Sequence, residues 1–117
     1  MCIFCDIVAG KIPSTKVYEN DYVYCFKDIN PAAPVHVLVV PKKHFADIDE
    51  LAGDPEGALY SSEITKAIAE AAKISGVSGA YRTINNCGEG AGQTVMHVHF
   101  HVLGGTNLTE KLILSYG

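Results

Sequence analysis

The sequence predicts an α+β domain: an antiparallel sheet of about five strands, one long helix and a short N-terminal helix. Three observations support it. Short runs rich in β-branched and aromatic residues recur with hairpin-length connections between them. One longer stretch carries apolar residues at three- and four-residue steps. The length, 117 residues, is that of one domain able to bury a real core. No internal repeat, low-complexity tract or linker divides it, so residues 1–117 read as a single domain.

Taken in order, residues 5–9 are predicted as a helical turn stopped by Gly10 and Pro13. Residues 17–19 and 22–26 read as two strands around Asn20-Asp21, residue types that tolerate tight turns. A loop covers 28–34, and 35–40 is a β-branched strand ended by Pro41. The long helix is expected to open at Asp54-Pro55, a capping residue followed by proline at the first helical position, and to close at Gly76. Between them Tyr60, Ile64, Ala67, Ile68, Ala71 and Ile74 make one apolar face for the sheet. Residues 81–85 and 96–103 are the last two strands, joined by a glycine-rich loop, and 109–117 has no strong period.

Hydrophobic residues make up 48% of the chain and charged residues 19%, a mixture that argues against disorder. A net charge of −4 lacks the basic footprint of a nucleic-acid or anionic-membrane binder, so neither is an expected partner. The apolar strand at 35–40 falls far short of the ~20 residues a membrane span needs. The opening Met1-Cys2-Ile3-Phe4-Cys5-Asp6 has no basic stretch and no apolar signal core, so a cytoplasmic location is expected. In that reducing compartment Cys2, Cys5, Cys25 and Cys87 are expected as thiols or metal ligands. Cys25, among Val23 and Phe26, reads as a small buried hydrophobe.

His97-Val98-His99-Phe100-His101-Val102-Leu103 is the densest chemical signal in the chain. Strand alternation puts the three histidines on one face and the apolar residues on the other. Only five histidines occur in all, so chance is a poor account of that spacing. Neighbours on one face sit ~6.6 Å apart and His97 to His101 spans ~13 Å. With bonds of ~2.0–2.1 Å, two neighbours but not all three can share a zinc ion. The row suits serial work around one extended charged group, with His99 attacking and its neighbours orienting it, neutralising charge or moving protons.

Immediately upstream, the loop from Asn85 to Thr94 places three glycines in five residues. That predicts inward amides for a phosphate, with Asn86 and Thr94 as further donors. Cys2-x-x-Cys5 has the spacing of a metal-binding or redox pair. Taken alone, Asp28 reads as a turn-starting residue and His36 as a core histidine.

These residues resemble the histidine triad (HIT) superfamily, whose signature alternates histidine with apolar residues as 97–103 do. The likeness extends to Gly92-Gln93-Thr94-Val95, to Gly104-Gly105, and to Asp28-Ile29-Asn30-Pro31 with His36. It also takes in Pro41-Lys42-Lys43-His44 and Cys2-Ile3-Phe4-Cys5, covering roughly residues 1–105. It is nearest the Hint branch, the purine nucleoside phosphoramidases. The resemblance implies a HIT-like fold and a homodimer that hydrolyses nucleoside 5′-phosphoramidates, of AMP-amide or AMP-lysine type. Nucleotide and amine would be released through a nucleotidyl-histidine intermediate.

Residue by residue, the resemblance implies His99 as nucleophile and His101 with the Gly92 amide on phosphate oxygens. Thr94 would contact the phosphate and the departing group, and Asn86 would add a polar contact. Asp28 would accept from the ribose hydroxyls, Ile29 would line the purine pocket of a nucleotide such as AMP, and His36 would support the row. Catalysis would need no cofactor, while a structural zinc is implied on Cys2, Cys5, His44 and His97. The same row also serves dinucleoside polyphosphate hydrolases and nucleotidyl transferases, and a nucleotide-binding module with weak hydrolysis is the alternative of another class. The tail beyond Gly105 departs from the aromatic- and proline-containing end of animal Hint proteins, which leaves leaving-group preference open.

Overall fold

The computed structural model describes residues 2–110, and positions 111–117 of the tail lie outside them. The elements are α1 (Ile3–Val8), β1 (Lys16–Glu19), β2 (Val23–Lys27), β3 (Val35–Pro41), α2 (Ile48–Gly53), α3 (Gly57–Ile74), β4 (Tyr81–Ile84) and β5 (Phe100–Gly104). A short 3-10 turn occupies Glu89–Ala91. Every strand pair is antiparallel and the sheet order is β1-β2-β3-β5-β4, the α+β class expected from the sequence.

Local chemistry sets most element ends. Asn20 Oδ1 accepts the amides of Tyr22 and Val23 at 2.8 Å each, which folds the β1–β2 turn. α1 and α3 stop in the same way, on Gly10 and Gly76 with φ of 78° and 76°. In each, the glycine amide and the next amide reach back to carbonyls of the last turn, Gly76 to Lys73 and Val77 to Ala72 in α3.

The helix starts differ from expectation. α1 begins two residues before the predicted turn because the Cys2 thiol accepts the Cys5 amide at 3.3 Å and acts as its cap. α3 begins after Asp54-Pro55 because those residues belong to a turn. The Gly57 amide donates to the Asp54 carbonyl at 2.8 Å, with Pro55 at the second position, where its fixed φ suits a turn as well as a helix start. Ahead of that turn lies α2, which the sequence reading did not predict. Its cap is Asp47, whose carboxylate accepts the Glu50 amide at 2.9 Å, the first half of a capping box.

One face of the sheet presents Val23, Cys25, Val37, Val39, Val98 and Val102 to Phe45, Leu51 and the Ile64, Ala67, Ala71, Ala72 stripe of α3. The other face presents Phe26, Leu38 and Val40, covered by Phe4 and Ile7 of α1 with Val8, Ile12 and Val95 packed around them. The remainder of that second face is where the histidines stand. Burial pushes the Cys25 thiol up to about 12, which suits the core role expected of it.

The strand predicted at 96–103 joins the ladder only from Phe100. Val39 pairs with Phe100, so Val98 falls opposite Pro41, whose carbonyl takes the His97 ring N–H at 2.8 Å. The Val98 amide turns instead to the Phe45 carbonyl at 2.7 Å. Side-chain alternation survives the change, with Val98 and Val102 in the core and the histidines on the opposite side. Among the described residues no helix is long and apolar enough to cross a membrane.

A Cβ on Gly57 would run into the Leu51 carbonyl oxygen, whereas nothing lies within 4 Å of one on Gly53. Gly57→Ala must push α2 and α3 apart and is expected to cost about 1–3 kcal/mol. Thermal unfolding checks this: the midpoint of Gly57→Ala should fall clearly below that of Gly53→Ala.

Candidate active site

β3 and β5 are adjacent at the middle of the sheet, and their register sets His36 beside the histidine row. His36 Nε2 lies 2.8 Å from His101 Nδ1. Partners with only one possible role decide where the protons sit. The Ala32 amide donates to His36 Nδ1 at 3.0 Å, so neutral His36 carries its proton on Nε2 and gives it to His101 Nδ1. His101 is thereby protonated on Nε2. His99 Nδ1 sits 2.8 Å from the His97 carbonyl oxygen, which only accepts, so this nitrogen holds the proton and Nε2 keeps a lone pair. His97 Nε2 donates to the Pro41 carbonyl at 2.8 Å, which frees the lone pair of its Nδ1.

Three neighbouring histidines thus present different groups: a free lone pair on His97 Nδ1, another on His99 Nε2, and an N–H donor on His101 Nε2. Burial keeps the first and last neutral. It pushes His97 and His101 down to about 4, with the neighbouring imidazoles adding to the effect. Burial also lowers His36, against the pull of Asp28.

Asp28 is held by its own turn, Oδ1 accepting the Asn30 amide at 2.7 Å, with Oδ2 3.5 Å from His36 Nε2. Asp28, His36 and His101 offer atoms within 4.8 Å of one another. They do not suit a metal, because the amide on Nδ1 obliges His36 to keep its proton on Nε2. The arrangement is a hydrogen-bond chain that ends on the His101 N–H.

A second cluster does suit a metal. Cys2, Cys5, His44 and His97 converge with all four ligand atoms within 4.8 Å. His97 Nδ1 is 3.3 Å from Cys2 Sγ, 3.5 Å from Cys5 Sγ and 3.2 Å from His44 Nδ1, and Cys5 Sγ is 3.5 Å from His44 Nδ1. Tetrahedral zinc with ordinary Zn–N and Zn–S bonds needs edges of about 3.3–3.8 Å. Burial, followed by the adjacent Cys2 thiol, pushes Cys5 up to about 11, a penalty on the thiolate that a bound dication removes.

Between α1 and the histidine face lies a cavity of about 420 Å³. Phe4, Ile7, Phe26 and Leu38 form its apolar wall, while Asp28, Thr94, His99 and His101 gather at its polar end. Ile29, 90% exposed, stands at its margin. An apolar slot leading to a carboxylate and then to imidazoles matches a flat base, a polyol and an anion in series.

Two predicted site residues behave differently. Neither Asn86 nor Gly92 lines this cavity. Gly92 has φ 93° as expected of a loop glycine, but its amide donates to Glu89 O at 3.0 Å, and the Ala91 and Gln93 amides both donate to Gly88 O at 3.1 Å. The amides expected to face a phosphate close the loop on itself instead.

The sequence reading missed three supports. Asn85 Nδ2 donates to the His99 carbonyl at 2.9 Å, replacing a ladder bond where β4 ends. Gln93, 3% exposed, accepts the Gly88 amide at 2.8 Å and donates to Ala46 O at 2.7 Å and Val95 O at 2.9 Å. Phe4 stands edge-on to His99 with ring centroids 5.0 Å apart. Each sits beside a motif that drew attention, but its partner is distant in sequence and no local pattern names it.

The HIT domain family model matches residues 9–108, and the chain belongs to the HIT family. Over 103 residues it is 45% identical to protein HitA of Neisseria gonorrhoeae, a match covering 88% of this chain and 94% of that one. Among solved structures, a HIT family hydrolase from Clostridium thermocellum superposes with a TM-score of 0.90 at 45% identity over 96% of both chains. A histidine triad protein from Clostridium difficile gives 0.86 at 46% identity over 94% of this chain and 95% of that one.

The depressed His101 has a stated consequence for stability. Between its folded value of about 4 and the ordinary ~6.5, the unfolded chain binds this proton and the folded chain does not. Its contribution is therefore full above ~6.5 and falls as pH drops toward about 4. Thermal midpoints followed through that window should decline less steeply for His101→Gln than for the parent; parallel curves would exclude the assignment.

Proposed function

We propose that this chain is a cytoplasmic nucleotide hydrolase of the Hint type, cleaving nucleoside 5′-phosphoramidates such as AMP-amide or AMP-lysine to nucleotide and amine. The observation that carries the reading is the His97 carbonyl on His99 Nδ1–H, which leaves the lone pair on Nε2 of a ring that is only 6% exposed and lines the cavity. The purine occupies the apolar slot beside Ile29, and Asp28 accepts from the ribose hydroxyls. Nε2 attacks phosphorus and the P–N bond to the amine breaks. Water then attacks the same phosphorus, the P–Nε2 bond breaks, and the nucleotide 5′-monophosphate leaves. His101 Nε2–H, held by the chain from Ala32 through His36, donates to a non-bridging oxygen as charge builds there. Thr94 relays a proton to the departing amine and recovers one from the attacking water. A contribution from the Gly92 amide requires the Glu89–Gly92 turn to open first, and Asn86, which does not line the cavity, has to move toward the phosphate to add its polar contact.

No cofactor takes part in these steps. Zinc bound by Cys2, Cys5, His44 and His97 would supply a structural cross-link, and the donor set fits it as described. The homodimer implied by the family likeness belongs to the same reading, and sedimentation equilibrium should return twice the 12.5 kDa chain mass.

Turnover of adenosine 5′-phosphoramidate tests the activity. His99→Ala should lower it at least about 1,000-fold while AMP still binds. Equal turnover by both proteins removes His99 as nucleophile, and binding without turnover by the parent points to a binding module. A panel including dinucleoside polyphosphates separates the phosphoramidase from its relatives with the same row.

A further inference from the structure

α1 belongs to both clusters at once. Its first turn supplies Cys2 and Cys5 to the metal-fitting site, and its inner side supplies Phe4 and Ile7 to the wall of the cavity. We propose that metal held by Cys2, Cys5, His44 and His97 latches α1 against the sheet, so that metal and nucleotide bind this protein cooperatively. The proposal rests on the reading of the cavity as a nucleotide site.

Six residues are too few for a helix to persist by itself, since nucleation is costly and isolated helices shorter than ~12–15 residues are marginal. α1 therefore depends on what it docks to. Its apolar attachment consists of Phe4 and Ile7, flanked by the partly buried Cys2 and Val8, against Phe26, Leu38 and Val40. Its backbone bonds are local, from the Asp6 amide to Cys2 O at the start to the Lys11 amide on Asp6 O at the end. Among the described residues, the side-chain hydrogen bonds that tie 2–8 to the rest of the chain run from the two cysteines to His44 and His97, and Phe4 adds ring contacts to Phe26, His97 and His99. A dication replaces weak thiol–imidazole contacts with four bonds and joins α1 to the loop after β3, through His44, and to the first histidine of the row, His97.

If α1 undocks, the cavity loses the wall that faces the base and His99 loses the ring standing 5.0 Å from it. The nucleophile's tautomer survives, since that depends on the His97 carbonyl alone. The cost should thus fall on nucleotide affinity. Because coupling between two ligands is reciprocal, nucleotide must tighten the hold on metal by the same factor.

Calorimetric titration of AMP into the zinc-loaded and the chelator-stripped full chain reads one direction. The stripped chain should bind AMP about 10-fold more weakly, and amide exchange in α1 should speed up while α3 stays protected. The other direction uses the zinc-loaded protein alone, so it holds even where stripping unfolds the chain. Saturating AMP should slow zinc release to a chromogenic chelator about 10-fold. AMP affinity unchanged by stripping, release unchanged by AMP, or failure to bind zinc overturns the coupling and leaves the hydrolase reading standing. AMP bound by neither form overturns the nucleotide reading and the coupling with it.

Discussion

The bond from His99 Nδ1 to the His97 carbonyl fixes which nitrogen of the central imidazole keeps its lone pair, and the rest of the site is arranged around that choice. The carbonyl is held from several sides. Its own ring is anchored on Pro41 and faces the two cysteines, the next residue's amide is tied to Phe45, and the His99 carbonyl is taken by Asn85. Main chain and side chain of His97 therefore serve different ends. One orients the His99 ring, the other completes the cluster with Cys2, Cys5 and His44.

Burial without charge makes this workable. A row of imidazoles on an exposed strand would titrate near neutrality and change roles with small shifts in pH. Here α1 and the neighbouring strands remove water from the face, and His97 and His101 stay neutral well below physiological pH. A neutral ring has one donor and one acceptor nitrogen, and its hydrogen-bond partner determines which is which. Chemistry that differs along the row arises from three carbonyl or amide contacts, made by Pro41, His97 and Ala32.

The helices show where local reading succeeds and where it stops. The glycine ends of α1 and α3 were legible because the left-handed residue and the return bonds lie within a few positions. Asp54-Pro55 misled because a turn and a helix start ask the same of proline. α2 was legible in principle, through Asp47 and Glu50, but six residues give little periodicity to notice. Gly92 taught the opposite lesson: its conformation was readable from its type, while the direction of the amides around it depended on Gly88 and Glu89 as acceptors.

By itself the sequence determined the strand alternation that segregates histidines from valines, the glycine stops, and the cysteine pair at ligand spacing, because these depend on periods of two to four residues. Only the tertiary structure decided the tautomers, the hydrogen-bond chain from Ala32 to His101, the insertion of Gln93 beneath the loop, and the sharing of α1 between metal cluster and cavity. Those depend on groups brought together from positions up to 95 residues apart, as Cys2 and His97 are. Such a meeting follows from how the sheet is ordered and covered, and no local stretch of chain carries that information.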